Sequence, residues 1–204
     1  MKKMLYIDFD ETLFDHRGYV AFVSGLLAGE EDISRYTSTF DDYHDVQDTV
    51  RMLRLYRHRD HIADALGYEW GHYSNSVRSA VMQNKQDFCY PEVHEFLEYI
   101  DTLGDVDVAL LTYGDPEYQL YKISLCEHTK RLPVTVVQEP KADYIARYHT
   151  ADHGVLLDDK APQRLSGSWQ HIWVNRAGAR VGMHGAHKIV STLGADTLTG
   201  THIS

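Results

Sequence analysis

A short apolar run that stops at two acids constrains this chain more than any other feature. Residues 4–7 read Met-Leu-Tyr-Ile, and Asp8 and Asp10 follow with one residue between them. Continuous apolar runs are typical of parallel strands covered on both faces of a sheet. Asp8 is therefore expected at the carboxyl end of a buried strand, where open α/β sheets bind ligands. Two carboxylates this close repel each other, which indicates either a bound cation or an unequal division of roles.

Later apolar runs also end at, or are followed by, polar or charged residues that could bind a ligand or take part in a reaction. Thr112 closes the run at 108–111, Lys141 follows a run at 134–137, and an acidic pair closes the run at 155–157. A further strand is predicted at 172–174. Strands that alternate with helices predict a parallel α/β sheet whose carboxyl ends lie on one edge. The polar residues at these strand ends should therefore converge on one site.

The first run resembles the first motif of the haloacid dehalogenase (HAD) superfamily, an aspartate pair followed by threonine. The matches occur in the family order at Asp8-Asp10-Thr12, Thr112, Lys141 and Asp158-Asp159. The resemblance implies a Rossmann-like, doubly wound parallel sheet with an α-helical cap inserted after the first strand. It predicts a core of residues 1–14 and 87–204 and a helical cap of residues 15–86. Glu11 stands where glycine is frequent in the family.

The resemblance also implies a mechanism in which an aspartate displaces a group at phosphorus. Asp8 matches the nucleophile, and Asp10 matches the general acid and base whose backbone carbonyl also reaches the metal. Asp159 matches the usual metal ligand, with Asp158 as a further or outer ligand. Oxygen donors of this kind suit Mg²⁺.

Phosphate binding is assigned to the ends of two strands. Thr112 is expected to donate its hydroxyl to the phosphoryl group, with backbone amides around Tyr113 and Gly114 helping. Lys141 is expected to orient the nucleophile and offset phosphate charge. It is preferred to Lys122, which is predicted in the middle of a helix away from the carboxyl edge. Lys160 is interpreted as an exposed loop lysine.

These expectations favour a Mg²⁺-dependent phosphatase that hydrolyses a small phosphorylated metabolite through an aspartyl-phosphate. A phosphotransferase or mutase would share every core residue, and a non-catalytic binding protein would retain the fold without turnover. A nucleic-acid end phosphatase is a further alternative. Dehalogenation is disfavoured, because that reaction does not require a second acid such as Asp10.

Charge and cysteine content limit the partners and the compartment. The formal net charge of −10 disfavours binding to nucleic acid or to anionic membranes. Asp8 and Asp10 interrupt the first apolar run too early for a signal peptide, and the run at 20–29 is too short to cross a bilayer. Cys89 and Cys126 show no paired metal spacing, so a cytoplasmic protein with reduced thiols is expected. Apolar faces of the cap helices are compatible with packing within one chain or between chains.

Helices are predicted at about 42–66 and 74–86 in the cap, and from Pro116 to about His128 in the core. The tail is glycine-rich and weakly patterned, although Ile189, Val190 and Leu193 could cover a sheet edge. Residues 197–204 are expected to be frayed.

Overall fold

The structure is a computed structural model that describes residues 3–26, 34–39, 58–149, 153–160, 164–176 and 186–203. Its centre is one parallel sheet of six strands. The strands are β1 (Lys3–Ile7), β2 (Val106–Tyr113), β3 (Val134–Val137), β4 (His153–Asp158), β5 (Ser168–Val174) and β6 (Lys188–Val190). This Rossmann-like architecture confirms the predicted α/β fold.

Strand order places β1 in the middle of the sheet, which runs β3-β2-β1-β4-β5-β6. Ile7 on β1 lies opposite Leu110 on β2 and Leu157 on β4, and all three side chains are fully buried. Apolar residues on both faces of these strands explain why the central strands read as continuous hydrophobic runs. The register brings the residues after Ile7 beside those after Leu157.

Six α-helices are numbered within the described residues, and no helix there is long and apolar enough to cross a bilayer. They are α1 (His16–Leu26), α2 (His58–Leu66), α3 (Trp70–Gln83), α4 (Val93–Asp101), α5 (Pro116–Ile123) and α6 (Lys141–Tyr148). Residues 34–39 are also helical. Of the predicted helix at 42–66, residues 42–57 lie outside the described part of the chain.

The predicted bounds of two helices were wrong. Helix α3 is Trp70–Gln83, so it begins one turn before residue 74 and ends before residue 86. Helix α5 ends at Ile123 instead of continuing to His128, and a short 3₁₀-helix, Glu127–Thr129, follows separately. Ser124 ends α5 because its hydroxyl turns back to donate to the carbonyl of Tyr121 at 2.6 Å.

The chain divides into two compact units. The core unit comprises Met1–Asp15, Cys89–Tyr113 and Cys126–Ser204, and contains the whole sheet. The helical unit comprises His16–Phe88 and Gly114–Leu125. The interpretation of residues 15–86 as a cap stays a prediction.

Helix α5 belongs to the helical unit, although sequence analysis placed residues 114–125 in the core. Its aromatic side chains explain this grouping. The ring of Tyr118 lies 4.7 Å from that of His58 on α2, and the ring of Tyr121 lies 5.3 Å from that of Trp70 on α3. The Tyr121 hydroxyl also donates to the carbonyl of Ser74 at 3.3 Å. Burial of these rings ties α5 to α2 and α3.

Residues 197–203 are folded, so the expectation that they are frayed was wrong; Ser204 lies outside the described residues. Strand β6 pairs in parallel with β5, with Ile189 opposite Trp173. Beyond it, Leu198 and Ile203 are buried, and Gly194 donates its amide to the hydroxyl of Thr197 at 2.8 Å. These apolar side chains are spaced irregularly between turns. Because they follow neither the helical nor the strand period, the sequence did not predict that they are buried.

Candidate active site

Two acids occupy adjacent strand ends in the middle of the sheet. Asp8 directly follows β1, and its amide donates to the carbonyl of Leu157 on β4 at 2.8 Å. Asp158 is the last residue of β4. Both acids are almost entirely buried. The parallel pairing of β1 with β4 therefore brings together two carboxylates that lie 150 residues apart in the sequence, at positions 8 and 158.

Lys141 joins these two carboxylates. Its ammonium nitrogen lies 2.5 Å from Asp8 Oδ1 and 2.7 Å from Asp158 Oδ2. Lys141 is the first residue of α6, directly after Pro140, and is itself buried. Proline fixes the backbone where the loop after β3 turns into the helix, and this starts the helix at the sheet edge.

Asp159 completes an acidic cluster with the other two acids. One carboxylate oxygen from each of Asp8, Asp158 and Asp159 lies within 4.8 Å of the others. The indole nitrogen of Trp173 on β5 donates to the Asp159 carbonyl at 2.8 Å, which holds the backbone at this point. We call Asp8, Asp158, Asp159 and Lys141 the acidic centre. The structure thus brings these four predicted residues together.

The charges of the acidic centre are unbalanced, since three carboxylates surround one buried ammonium group. Burial raises the pKa of Asp8 well above its ordinary value; Lys141 opposes this rise, and the charges of Asp158 and Asp159 add to it. Burial also raises the pKa of Asp159. Burial disfavours the charged form of Lys141, but Asp8 and Asp158 outweigh that effect and raise the Lys141 pKa. The lysine stays protonated, and the three carboxylates outnumber Lys141 and the exposed Lys160 beside Asp159.

The donor set fits the Mg²⁺ ion that the resemblance implies. Carboxylate oxygens are hard donors of the kind that this ion prefers. Asp158 is already engaged, because its Oδ2 contacts Lys141 and its Oδ1 accepts the amide of Lys160 at 2.8 Å. Asp159 Oδ1, by contrast, is buried without a hydrogen-bond partner among the described residues. An unpaired buried oxygen beside excess negative charge is what a cation site requires.

Asp10 lies in a tight turn directly after Asp8. The carbonyl of Phe9 accepts the amides of Leu13 at 3.0 Å and Phe14 at 2.9 Å, which closes the turn. Within it, Glu11 has a φ of 57°, in the left-handed region that favours glycine. This conformation gives a physical reason for the glycine that is frequent at this position in the HAD superfamily.

The predicted phosphate-binding residues lie at the end of β2. Thr112 is buried, and Tyr113 is the last residue of the strand, on the same sheet edge as Asp8. Gly114 follows, with a φ of 143°. It is the first residue of the segment Gly114–Leu125, which belongs to the helical unit. This φ lies in the region that favours glycine, whereas the nearest atom to a Cβ there, Gln119 Nε2 at 2.9 Å, ends a flexible side chain that could move aside.

The two other candidate lysines have separate surroundings. Lys122 is buried in the helical unit, where its ammonium nitrogen lies 4.9 Å from the centroid of the Tyr118 ring. Lys160 is 75% exposed, as expected, and its ammonium nitrogen lies 3.5 Å from Asp159 Oδ2. Lys141 is the lysine buried against Asp8 and Asp158, in agreement with the choice made from the sequence.

Sequence analysis missed a group of residues that surrounds the Asp10 turn. Arg176 lies two residues after β5, and its guanidinium group contacts Glu92 and the carbonyl of Thr12. Tyr90 donates its hydroxyl to Glu11 Oε2 at 3.1 Å. Arg176 lies 84 residues from Glu92 in the sequence, in a stretch without periodic pattern, so no local signal connects the two.

Solved structures with this fold are numerous. A dehalogenase crystal structure has a TM-score of 0.62 and 14% identity, covering 94% of this chain and 93% of its own. L-2-haloacid dehalogenase from Xanthobacter autotrophicus has a TM-score of 0.61 and 13% identity, with 96% of each chain covered. The HAD-hydrolase YfnB from Bacillus subtilis, bound to magnesium, has a TM-score of 0.56 and 11% identity, with coverage of 94% and 95%.

No protein-family model matches the chain, and a search of curated proteins found no match. The structural likenesses extend over almost the whole chain and show that it has the HAD-like fold. At these low identities they do not decide between activities that share the fold.

Proposed function

We propose that this protein is a Mg²⁺-dependent phosphatase that hydrolyses a small phosphomonoester through an aspartyl-phosphate at Asp8. The observation that carries this proposal is the acidic centre, in which Lys141 bridges Asp8 and Asp158 while Asp159 lies beside them. A buried carboxylate held by a lysine and surrounded by excess negative charge is suited to act with a cation on a phosphate dianion.

The substrate phosphoryl group would be held by charge and by hydrogen bonds. Lys141 fixes the orientation of the Asp8 carboxylate through its 2.5 Å contact and offsets part of the phosphate charge. The Thr112 hydroxyl and the Tyr113 amide are the donors at the neighbouring strand end. Such preorganised donors act where charge develops in the transition state, which is the main source of catalysis in phosphoryl transfer.

In the first step, a carboxylate oxygen of Asp8 attacks phosphorus and the bond from phosphorus to the ester oxygen breaks. The Asp10 carboxyl group gives its proton to the departing oxygen, which leaves as an alcohol. In the second step, the Asp10 carboxylate takes a proton from water as the water oxygen attacks phosphorus. The bond between phosphorus and Asp8 then breaks, which restores the carboxylate and releases inorganic phosphate.

The residues that would hold Mg²⁺ are Asp8, the Asp10 carbonyl and Asp159. Asp158 is assigned to hold Lys141, since both of its carboxylate oxygens already accept hydrogen bonds from the protein. When bound, the ion supplies the charge compensation that lets a carboxylate approach a phosphate dianion.

Hydrolytic dehalogenation is the second candidate, because dehalogenases are among the similar structures. It would use Asp8 as the nucleophile at carbon instead of phosphorus. The second acid, Asp10, and the fit of the acidic centre to Mg²⁺ favour phosphate chemistry, because dehalogenation requires neither a second acid nor a metal that compensates phosphate charge. Phosphoryl transfer to a second substrate would use every proposed residue and differs only in the acceptor, and a nucleic-acid end phosphatase would differ only in the substrate.

The experiment measures phosphate release from phosphorylated sugars, nucleotides, amino acids and a 5′-phosphorylated oligonucleotide, with and without Mg²⁺. The same preparations are assayed for halide release from 2-chloropropionate and for transfer to added sugar acceptors. Wild type is compared with Asp8→Asn, which keeps the shape of the side chain. Metal-dependent phosphate release that Asp8→Asn abolishes is the expected result. Halide release without phosphate release would overturn the proposal.

A further inference from the structure

Arg176 reaches from the end of β5 to two other parts of the core unit. Its Nη1 donates to Glu92 Oε1 at 2.6 Å, and its Nη2 donates to the carbonyl of Thr12 at 2.7 Å. Only 14% of the side chain is exposed. Thr12 lies two residues after Asp10, so the guanidinium group is bonded to the turn that carries the proposed general acid.

Tyr90 contacts the same turn from the other side of the guanidinium group. The Arg176 Cζ lies 3.5 Å from the centroid of the Tyr90 ring, a stacked arrangement. The Tyr90 hydroxyl donates to Glu11 Oε2 at 3.1 Å, and its amide donates to the carbonyl of Leu13 at 3.0 Å. Every residue from 11 to 13 is thus held by Arg176 or Tyr90.

The turn needs such support because its backbone is unfavourable. Glu11 adopts a φ of 57°, a conformation that persists for a residue with a Cβ only when its surroundings impose it. Glu92 is in turn oriented by the amide of Leu193, at 3.4 Å, as well as by Arg176. The contacts therefore form a chain from the folded tail, through Glu92 and Arg176, to the Asp10 turn.

We propose that Arg176 is a positioning residue that holds the Asp10 turn so that the Asp10 carboxyl group can protonate the leaving oxygen. This inference rests on the proposed function, since it takes Asp10 as the general acid. Arginine suits the role because its planar group can donate to Glu92 and Thr12 while stacking on Tyr90. Lysine keeps the charge but cannot make this set of contacts.

The role predicts a dependence on the leaving group. Phenol is a poor leaving group that needs a proton as its bond to phosphorus breaks, whereas p-nitrophenol leaves readily as an anion. A misplaced Asp10 should therefore slow transfer of the phosphoryl group to Asp8 far more from phenyl phosphate than from p-nitrophenyl phosphate, and kcat/KM reports this first step without the later hydrolysis of the intermediate. A residue that only stabilises the fold would affect both esters alike.

The experiment compares kcat/KM for both esters in wild type, Arg176→Lys and Arg131→Lys. Arg131 is a matched control in the core unit, because its Nη1 also pairs with a carboxylate, Asp101, at 2.6 Å and its Nη2 with a carbonyl, Leu97, at 3.3 Å. We expect Arg176→Lys to lower kcat/KM for phenyl phosphate by about 100-fold. The loss for p-nitrophenyl phosphate should be at least about 10-fold smaller, and Arg131→Lys should change neither.

Two further measurements distinguish a loss of Asp10 positioning in Arg176→Lys from a general folding defect. In the Asp10→Asn background, adding Arg176→Lys should cost phenyl phosphate hydrolysis little more, since the general acid is already gone. Hydrogen exchange at the Leu13 and Phe14 amides should be faster in Arg176→Lys than in Arg131→Lys. Equal losses of kcat/KM for both esters, or an undiminished effect of Arg176→Lys on kcat/KM without Asp10, would overturn the inference and leave the proposed function intact. A wild type that hydrolyses neither these esters nor any member of the phosphate panel would overturn both.

Discussion

The ammonium nitrogen of Lys141 lies 2.5 Å from Asp8 Oδ1, although both side chains are almost completely buried. A buried ion pair of this kind is a costly arrangement, because two charges leave water to form it. Here the lysine also contacts Asp158, and the acids outnumber it. The arrangement is therefore expected to serve binding and catalysis more than stability.

Replacing Lys141 by methionine should destabilise the metal-free protein, because it leaves a cluster of buried carboxylates without its cation. We expect the free energy of unfolding to fall by about 3 kcal/mol in denaturant titrations. Lys130, whose ammonium group pairs with Glu127 at 2.5 Å on the surface, provides the control. Lys130→Met should leave the transition where it is, and an equal shift for both variants would contradict the argument.

Magnesium should stabilise the fold by relieving repulsion within the acidic centre. At a concentration 100-fold above its Kd, a ligand that binds only the folded state adds about 2.7 kcal/mol, which appears as a rise in Tm. Asp159→Asn should remove most of this rise, since Asp159 Oδ1 is buried and unpaired among the described residues. Asp101→Asn, an acid paired with Arg131, should retain it. If Asp159→Asn responds to Mg²⁺ as strongly as wild type, the assignment of this ligand is wrong.

Glu92 should make stability depend on pH in the acid range. Burial alone would raise the pKa of Glu92, but hydrogen bonds from its own backbone, Arg176 and Leu193 lower it below the ordinary value of 4.5. A lowered pKa in the folded state contributes stability above the unfolded value, and this is lost as the pH falls through the folded pKa. The difference in unfolding free energy between wild type and Glu92→Gln should thus be largest above pH 4.5 and shrink on acidification below it. A difference that grows on acidification would contradict this sign.

The folded tail should contribute measurably to stability. Leu198 is fully buried, so Leu198→Ala should lower the free energy of unfolding by about 2–5 kcal/mol. The same substitution at Leu120, which is 49% exposed, is the control and should cost less than about 0.5 kcal/mol. Equal effects in thermal or denaturant unfolding would mean that residues 197–203 add little to the core.

The positions of β1 to β5 and the acidic centre could be predicted from sequence, because each predicted apolar run ends at a polar residue. Strand β5 begins at Ser168, before the predicted residue 172, and the residues of β6 were predicted only to cover a sheet edge. Parallel pairing then dictates that Asp8 and Asp158 meet, whatever their separation along the chain. Strand β3 has the predicted bounds, 134–137, since a run of apolar residues marks both of its ends.

Most features that could not be predicted depend on contacts between residues that are distant in the sequence. The pairing of Arg176 with Glu92 and the burial of Leu198 follow from tertiary packing that leaves no periodic pattern in the sequence. The left-handed backbone conformation of Glu11 was not predicted for a different reason. Glutamate gives no local signal for this conformation, which Tyr90 and its neighbours impose. Helix α5 ended early because a serine side chain competed for a backbone carbonyl, which helix propensity does not reveal.

The most direct test of the central claim looks for a phosphoryl group on Asp8 during turnover. Asp10→Asn should still form the intermediate from p-nitrophenyl phosphate but hydrolyse it slowly, because no base activates the water. Acid quenching followed by peptide mass spectrometry should then find the mass of one phosphoryl group on the peptide that contains Asp8, and none in the variant that also carries Asp8→Asn. Steady phosphate release by wild type with no phosphoryl group on that peptide in Asp10→Asn would contradict the account.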